Sequence, residues 1–140
     1  MRRPYDPSFH PPAPMVLVRI AAPSGVDSVS LQAKIDSGAD VCAVPEHLVA
    51  ELALPPVRAV RAAGFQGELR EVVVFRVDLS LGDWAFPRVE AIATRRSYVI
   101  VGRNVLRQLL VRLDGPRAQL DLLLPSAPRK RGGRARDPRG

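Results

Sequence analysis

Apolar residues recur at every second position over much of this chain, and that period predicts strands rather than helices. Val29, Leu31, Ala33 and Ile35 alternate with Ser30, Gln32 and Lys34, as a strand with one buried and one solvated face requires. Met15 to Ile20 is a shorter β-type run, broken by Pro23-Ser24-Gly25. From Val57 to Phe75, two β runs flank Ala62-Ala63-Gly64-Phe65-Gln66-Gly67, the pattern of a hairpin with a glycine-bracketed tip. Val77 to Leu81 reads as a further strand, turned by Gly82-Asp83 into a run from about Trp84 to Thr94. Tyr98-Val99-Ile100-Val101 is continuously apolar, which suits a strand buried on both faces, and it stops at Gly102. Leu110 to Leu113 and Ala118 to Leu123 pair around Asp114-Gly115-Pro116.

Two segments break the alternation. Pro45 to Leu52 places Leu48, Val49 and Leu52 on one helical face behind a proline suited to a first turn. Asn104 is a candidate cap for a second helix through Val105, Leu106 and Leu109. The sum is an all-β, barrel-like domain over residues 14–124 with one or two short helices and no internal repeat. Residues 1–13 read as an extended, Pro-rich arm, because Pro11-Pro12-Ala13-Pro14 excludes a helix.

The composition supports a packed core, with 46% hydrophobic and 25% charged residues, but aromatics are only 5%, so Val, Leu, Ile and Ala must fill it. The net charge of +7 suggests nucleic acid until it is located. Arg129, Lys130, Arg131, Arg134, Arg136 and Arg139 face only Asp137 in residues 125–140, which leaves a nearly neutral domain. That stretch reads as a solvated, disordered basic tail, and weak nucleic-acid contact is its alternative role. Cys42 is the only cysteine, so no intrachain disulfide forms. With His10 and His47 far apart in sequence, a structural zinc site is not expected, nor any other cofactor. No apolar run matches a signal peptide or a membrane span, which makes a soluble, cytoplasmic protein the expectation.

The chemistry centres on Asp36-Ser37-Gly38 at the end of an apolar strand. Asp36 is the one acid-base group there, the Ser37 hydroxyl can stiffen the loop, and Gly38 permits close backbone approach. A loop-forming Asp explains the tripeptide equally well. Cys42 fits a small buried apolar position behind this loop, and His47 fits the solvent side of its helix.

Ile35-Asp36-Ser37-Gly38-Ala39-Asp40 resembles the active-site loop of retropepsins, the single-domain aspartic proteases of retroviruses and their cellular and bacterial relatives. Val99-Ile100-Val101-Gly102-Arg103-Asn104-Val105-Leu106 resembles the second signature of that family, an apolar pair, Gly and Arg before a helix. The glycine-rich hairpin lies between them, where the family has its flap. The resemblance implies a closed barrel and a catalytic Asp36, with Ser37, Gly38 and Ala39 supporting the loop. It implies a buried ion pair between Asp40 and Arg103 beside Gly102, with Asp40 also able to contact substrate backbone. Gly64, Phe65, Gln66 and Gly67 become the flap tip over an extended peptide substrate.

The chain has one Asp-Ser/Thr-Gly where the chemistry needs two carboxylates sharing a proton. A homodimer supplies the second across a two-fold axis, with Leu120 to Leu124 as a candidate seam. The leading expectation is therefore a homodimeric aspartic endopeptidase. A catalytically silent dimerisation or peptide-binding module on the same fold is the alternative, and a nucleic-acid-binding scaffold built around the tail is a third.

Overall fold

The computed structural model describes residues 1–64 and 66–125; Phe65 and the tail beyond Pro125 lie outside the described residues. In chain order the elements are β1 (Arg2–Pro4), β2 (Met15–Ala21), β3 (Ser28–Ile35), β4 (Cys42–Pro45) and α1 (Glu46–Glu51). There follow β5 (Pro56–Ala63), β6 (Leu69–Leu81), β7 (Trp84–Thr94), β8 (Val99–Val101), α2 (Arg103–Leu106), β9 (Leu110–Asp114) and β10 (Gln119–Leu123).

Alternating apolar residues close six of these strands into a barrel. They run in the order β2-β3-β8-β4-β7-β6, and β6 returns to β2 through Ile20 opposite Leu79. Val16, Val18 and Ile20 of β2 point inward with Ala33 and Ile35 of β3 and Val77, Leu79 and Leu81 of β6. Each Val, Leu or Ile so buried stabilises the fold by roughly 1.5–3 kcal/mol relative to exposure. Leu48 of α1 and Val105 of α2 plug the barrel from outside the sheet.

The strand expected over 77–81 is not separate from the second arm of the hairpin. β6 runs unbroken from Leu69 to Leu81, first as flap and then as barrel wall. A register shift between Val77 and Leu79 marks the change. There Arg88 adopts φ 53°, rare for a side chain of its kind, and its N–H donates to the Asp78 carboxylate at 2.8 Å. Among the described residues β5 pairs only with β6, so this hairpin projects from the barrel.

β8 is not buried on both faces. Val99 and Val101 are fully buried, but Ile100 is half-buried on the outer face. The helix expected behind an Asn104 cap starts two residues earlier, at Arg103, and ends at Leu106 rather than running through Leu109; Gly102 occupies the N-cap position and no side chain caps it.

A second sheet has the order β1-β10-β9. Only the first residues of the N-terminal arm are extended, stitched into this sheet with Arg2 opposite Asp121 and Pro4 opposite Gln119. Residues 6–13, expected to be extended, double back in a loop closed by the pairing of Asp6 with Ala13. The Met1 amino group donates to Leu122 O at 2.7 Å, and Leu122 N–H donates back to Met1 O at 2.8 Å. Leu120 and Leu122 are fully buried against their own barrel, so they are not available to a partner. The exposed leucines of this region are Leu110 and Leu113 on β9 and Leu123 and Leu124 within the 120–124 segment named from sequence. Among the described residues, no helix is long and apolar enough to cross a membrane.

Candidate active site

β3 delivers Asp36 to the open end of the barrel. Its N–H donates to Val101 O at 3.1 Å, which fastens the start of the loop to the parallel strand β8. The chain then turns tightly: Gly38 N–H donates to Asp36 Oδ1 at 2.9 Å, and Ala39 N–H to Asp36 O at 3.3 Å. Asp36 is half-buried, and the Gly38 amide is the only hydrogen-bond partner of its carboxylate among the described residues. One carboxylate oxygen is thus held in place while the other is left for a ligand or a second carboxylate.

Gly102 and Arg103 clasp this loop from the far side. A Cβ on Gly102 would lie 2.5 Å from Val41 O and 3.0 Å from Ala39 O, so only glycine lets the two backbones meet there. Arg103 N–H donates to Ala39 O at 2.8 Å, and its guanidinium donates to Ser37 O at 2.8 Å and pairs with the Asp40 carboxylate. The ion pair inferred from sequence is therefore present, but it is not buried. The Arg103 and Asp40 side chains are 53% and 83% exposed, because both sit on the rim of the loop in a single chain. Its own worth is that of a surface pair, under about 1 kcal/mol.

Below the loop, Cys42 is fully buried. Its sulfur accepts from Gly102 N–H and donates to Asn104 Oδ1, both at 3.4 Å, and burial pushes the thiol up to about 11. Asn104, expected as a helix cap, instead turns its amide to Glu90 O at 2.9 Å. Glu90 in turn takes two 2.6 Å bonds from Arg58 at the root of the flap. Those bonds hold the Glu90 carboxyl below its ordinary value against a smaller opposing effect of burial.

Two grooves meet at the loop. The flap-side groove, about 620 Å³, runs from Gly38, Asp40 and Val41 beneath the inner face of the hairpin, Val60 and Val72, over a floor of Ile92 and Ile100. The other, about 370 Å³, joins Ile35, Ser37 and Arg103 to Leu106, Val111 and Leu113. Asp36 lies between the two sets of lining residues.

Asp36, Ser37, Gly38, Ala39, Asp40, Gly102 and Arg103 thus form one cluster. Gly64, Gln66 and Gly67 form the hairpin tip away from it; Gly64 N–H bonds Glu68 O at 2.8 Å, and Gly67 takes φ 78°. Sequence reasoning missed Arg58 and Glu90. Alternation along Arg58-Val60-Ala62 marks the inner face of the flap, but nothing in the linear pattern pairs position 58 with position 90.

A family model described as aspartyl protease matches residues 22–114. Among solved structures, a retropepsin-like aspartic protease from Rickettsia conorii has a TM-score of 0.60 at 12% identity, covering 87% of this chain and 88% of that one. The EIAV protease, complexed with the inhibitor HBY-793, has a TM-score of 0.50 at 18% identity, covering 68% of this chain and 86% of that one. At such identities the likeness is one of fold: an all-β, retropepsin-like barrel. No curated protein sequence matches the chain.

Proposed function

The chain belongs to the aspartyl protease family, and from that membership we propose that it works as a homodimeric endopeptidase with Asp36 contributed once by each subunit. The observation that carries the reading is the clasped loop: Asp36 is held by Gly38 and braced through Gly102 and Arg103 beside a groove that the flap overhangs. Such bracing fixes a carboxylate to the tolerance that proton transfer demands.

Two Asp36 carboxylates at a two-fold axis cannot both ionise comfortably, so the pair holds one proton. The ionised member takes a proton from a water molecule, which attacks the peptide carbonyl. The protonated member hydrogen-bonds the carbonyl oxygen, and a proton then passes to the leaving nitrogen. Ser37 supports the loop beneath the dyad, and Asp40 and Gly102 border the backbone of an extended substrate. The flap, including Gly64, Phe65, Gln66 and Gly67, covers the peptide and excludes water.

The seam is assigned to the second groove and to β9. This strand pairs only with β10 among the described residues, which leaves an edge for another strand. The groove beside it contains Ser37 itself, so a partner seated there is continuous with the catalytic loop.

Incubation of the purified chain with a diverse peptide library tests the reading. Cleavage is expected, faster at mildly acid pH, and Asp36→Asn should fold normally and cut nothing. Excess Asp36→Asn chain should also suppress wild-type cleavage by forming mixed dimers. Full activity of Asp36→Asn would overturn the catalytic assignment. Peptide binding without cleavage by the wild type would favour a silent binding module instead.

A further inference from the structure

The floor of the flap-side groove is a row of side chains crossing the outer face of the barrel. Register places Val74 beside Ile92, Ile92 beside Ala43, Ala43 beside Ile100, and Ile100 beside Lys34. Neighbours in such a row are about 4.8 Å apart, so the apolar floor ends on a lysine. Strand alternation puts Lys34 on the same side of β3 as Asp36, two residues further on.

Lys34 does not stand alone. Its ammonium lies 5.6 Å from the Phe9 ring centroid, and Phe9 packs edge-on against Tyr98 at 5.5 Å. Tyr98 precedes Ile100 by two residues, and its hydroxyl accepts from Arg96 Nη1 at 2.9 Å. The Arg96 guanidinium also sits 5.7 Å from the Tyr98 ring. An aromatic pair thus braces two cations on the face that continues the groove floor.

These cations differ from two others near the catalytic loop, although Arg61 of the groove lining likewise forms no salt bridge among the described residues. Arg58 is neutralised by Glu90 and Arg103 by Asp40. Among the described residues, neither Lys34 nor Arg96 forms a salt bridge. Aromatic rings orient a cation without cancelling its charge, which leaves its donors for an incoming anion.

We propose that Lys34 and Arg96 form a specificity site for a carboxylate side chain, so that the enzyme selects extended peptides carrying Glu or Asp near the scissile bond. This rests on the reading of Asp36 as the centre of a peptide-cleaving cleft. The aliphatic floor takes the neighbouring side chain on the flap side, and the cationic end takes the acidic one. The preference weakens as salt rises, because both cations are at least partly exposed.

The test uses the full chain and a set of aliphatic peptides in which one position at a time is Glu, Gln or Lys. Binding to Asp36→Asn is measured by fluorescence anisotropy, and cleavage by the wild type is followed in parallel. In at least one register, Glu peptides should bind about tenfold more tightly than their Gln counterparts. Adding Lys34→Glu and Arg96→Glu should reverse the order in favour of Lys peptides, and Lys34→Arg should preserve it. Melting curves establish that each variant is folded. Equal affinity for Glu and Gln peptides, or a preference unchanged by the charge reversal, overturns the proposal. Acid-selective binding that the reversal inverts supports it even if no peptide is cut; that result would count against the hydrolytic reading alone.

Discussion

Replacing Gly102 by Ala brings a methyl carbon against the carbonyl oxygens of Val41 and Ala39, which belong to backbone and cannot swing away. Overpacking of this kind costs about 1–3 kcal/mol, and here the strain falls on the loop that holds Asp36. Gly102→Ala should therefore lower the melting temperature by several degrees and cut kcat far more than a surface change of equal cost; a variant with wild-type kcat would refute the clasp. Cys42 makes a second prediction at this scale. Its thiol stays neutral in the native state until about 11, whereas an unfolded thiol ionises near its ordinary 9.0. The unfolded chain thus sheds the proton first, and native stability falls as pH rises through that window. The loss is on the order of 2–3 kcal/mol and should be missing from Cys42→Ala in paired denaturant titrations. That Asp36, Gly38 and Gly102 would meet in one cluster was legible only from two motifs taken together in order, since Asp-Ser-Gly alone fits an ordinary loop. The exposure of the Asp40–Arg103 pair was not, since burial depends on what surrounds an ion pair and not on the residues that make it.

Elements were legible wherever period-two alternation ran uninterrupted, as along β3. Ile100 was misjudged for a definable reason: a groove floor is as apolar as a core, so composition cannot distinguish them. The unity of β6 escaped because Arg76 and Asp78 interrupt the pattern at the bulge, where the strand passes from flap to barrel. The hairpin gains a second tether at its root, where Arg58 bonds Glu90 on β7. Arg58→Ala should leave the melting temperature almost unchanged, speed amide exchange across β5 and raise KM. The same tether has a pH dependence. Because Arg58 holds the Glu90 carboxyl below its ordinary value, the contact is intact above that value and is lost as pH falls through the lowered one. Protection of the β5 amides, corrected for intrinsic exchange at each pH, should fall on acidification in the wild type and not in Arg58→Ala.

For the whole molecule, the barrel was legible from the number and spacing of strands, but the terminal sheet was not. Pro-rich residues near the start gave no sign that Arg2 to Pro4 would pair with β10, since sequence alone does not reveal partners so distant in the chain. The same sheet places Leu113 half-exposed beside Ser37 and Ile35. Leu113→Glu should fold, because the side chain is not part of the barrel core, yet sediment as a monomer and lose cleavage. A Leu113→Glu chain that remains dimeric and active would move the seam elsewhere.

The pairing of β1 with β10 also governs when this molecule can exist. Strand β1 leaves the ribosome before its partner, which follows some 115 residues later, a wait of roughly 6–23 s at 5–20 residues per second. Met1 and Leu122 can exchange their hydrogen bonds only once all the residues between them have been synthesised. If Asp36 works as proposed, a chain assembled in this order stays harmless to itself while it is being made. On the proposed reading its cutting edge is finished last, after encounter with a second copy.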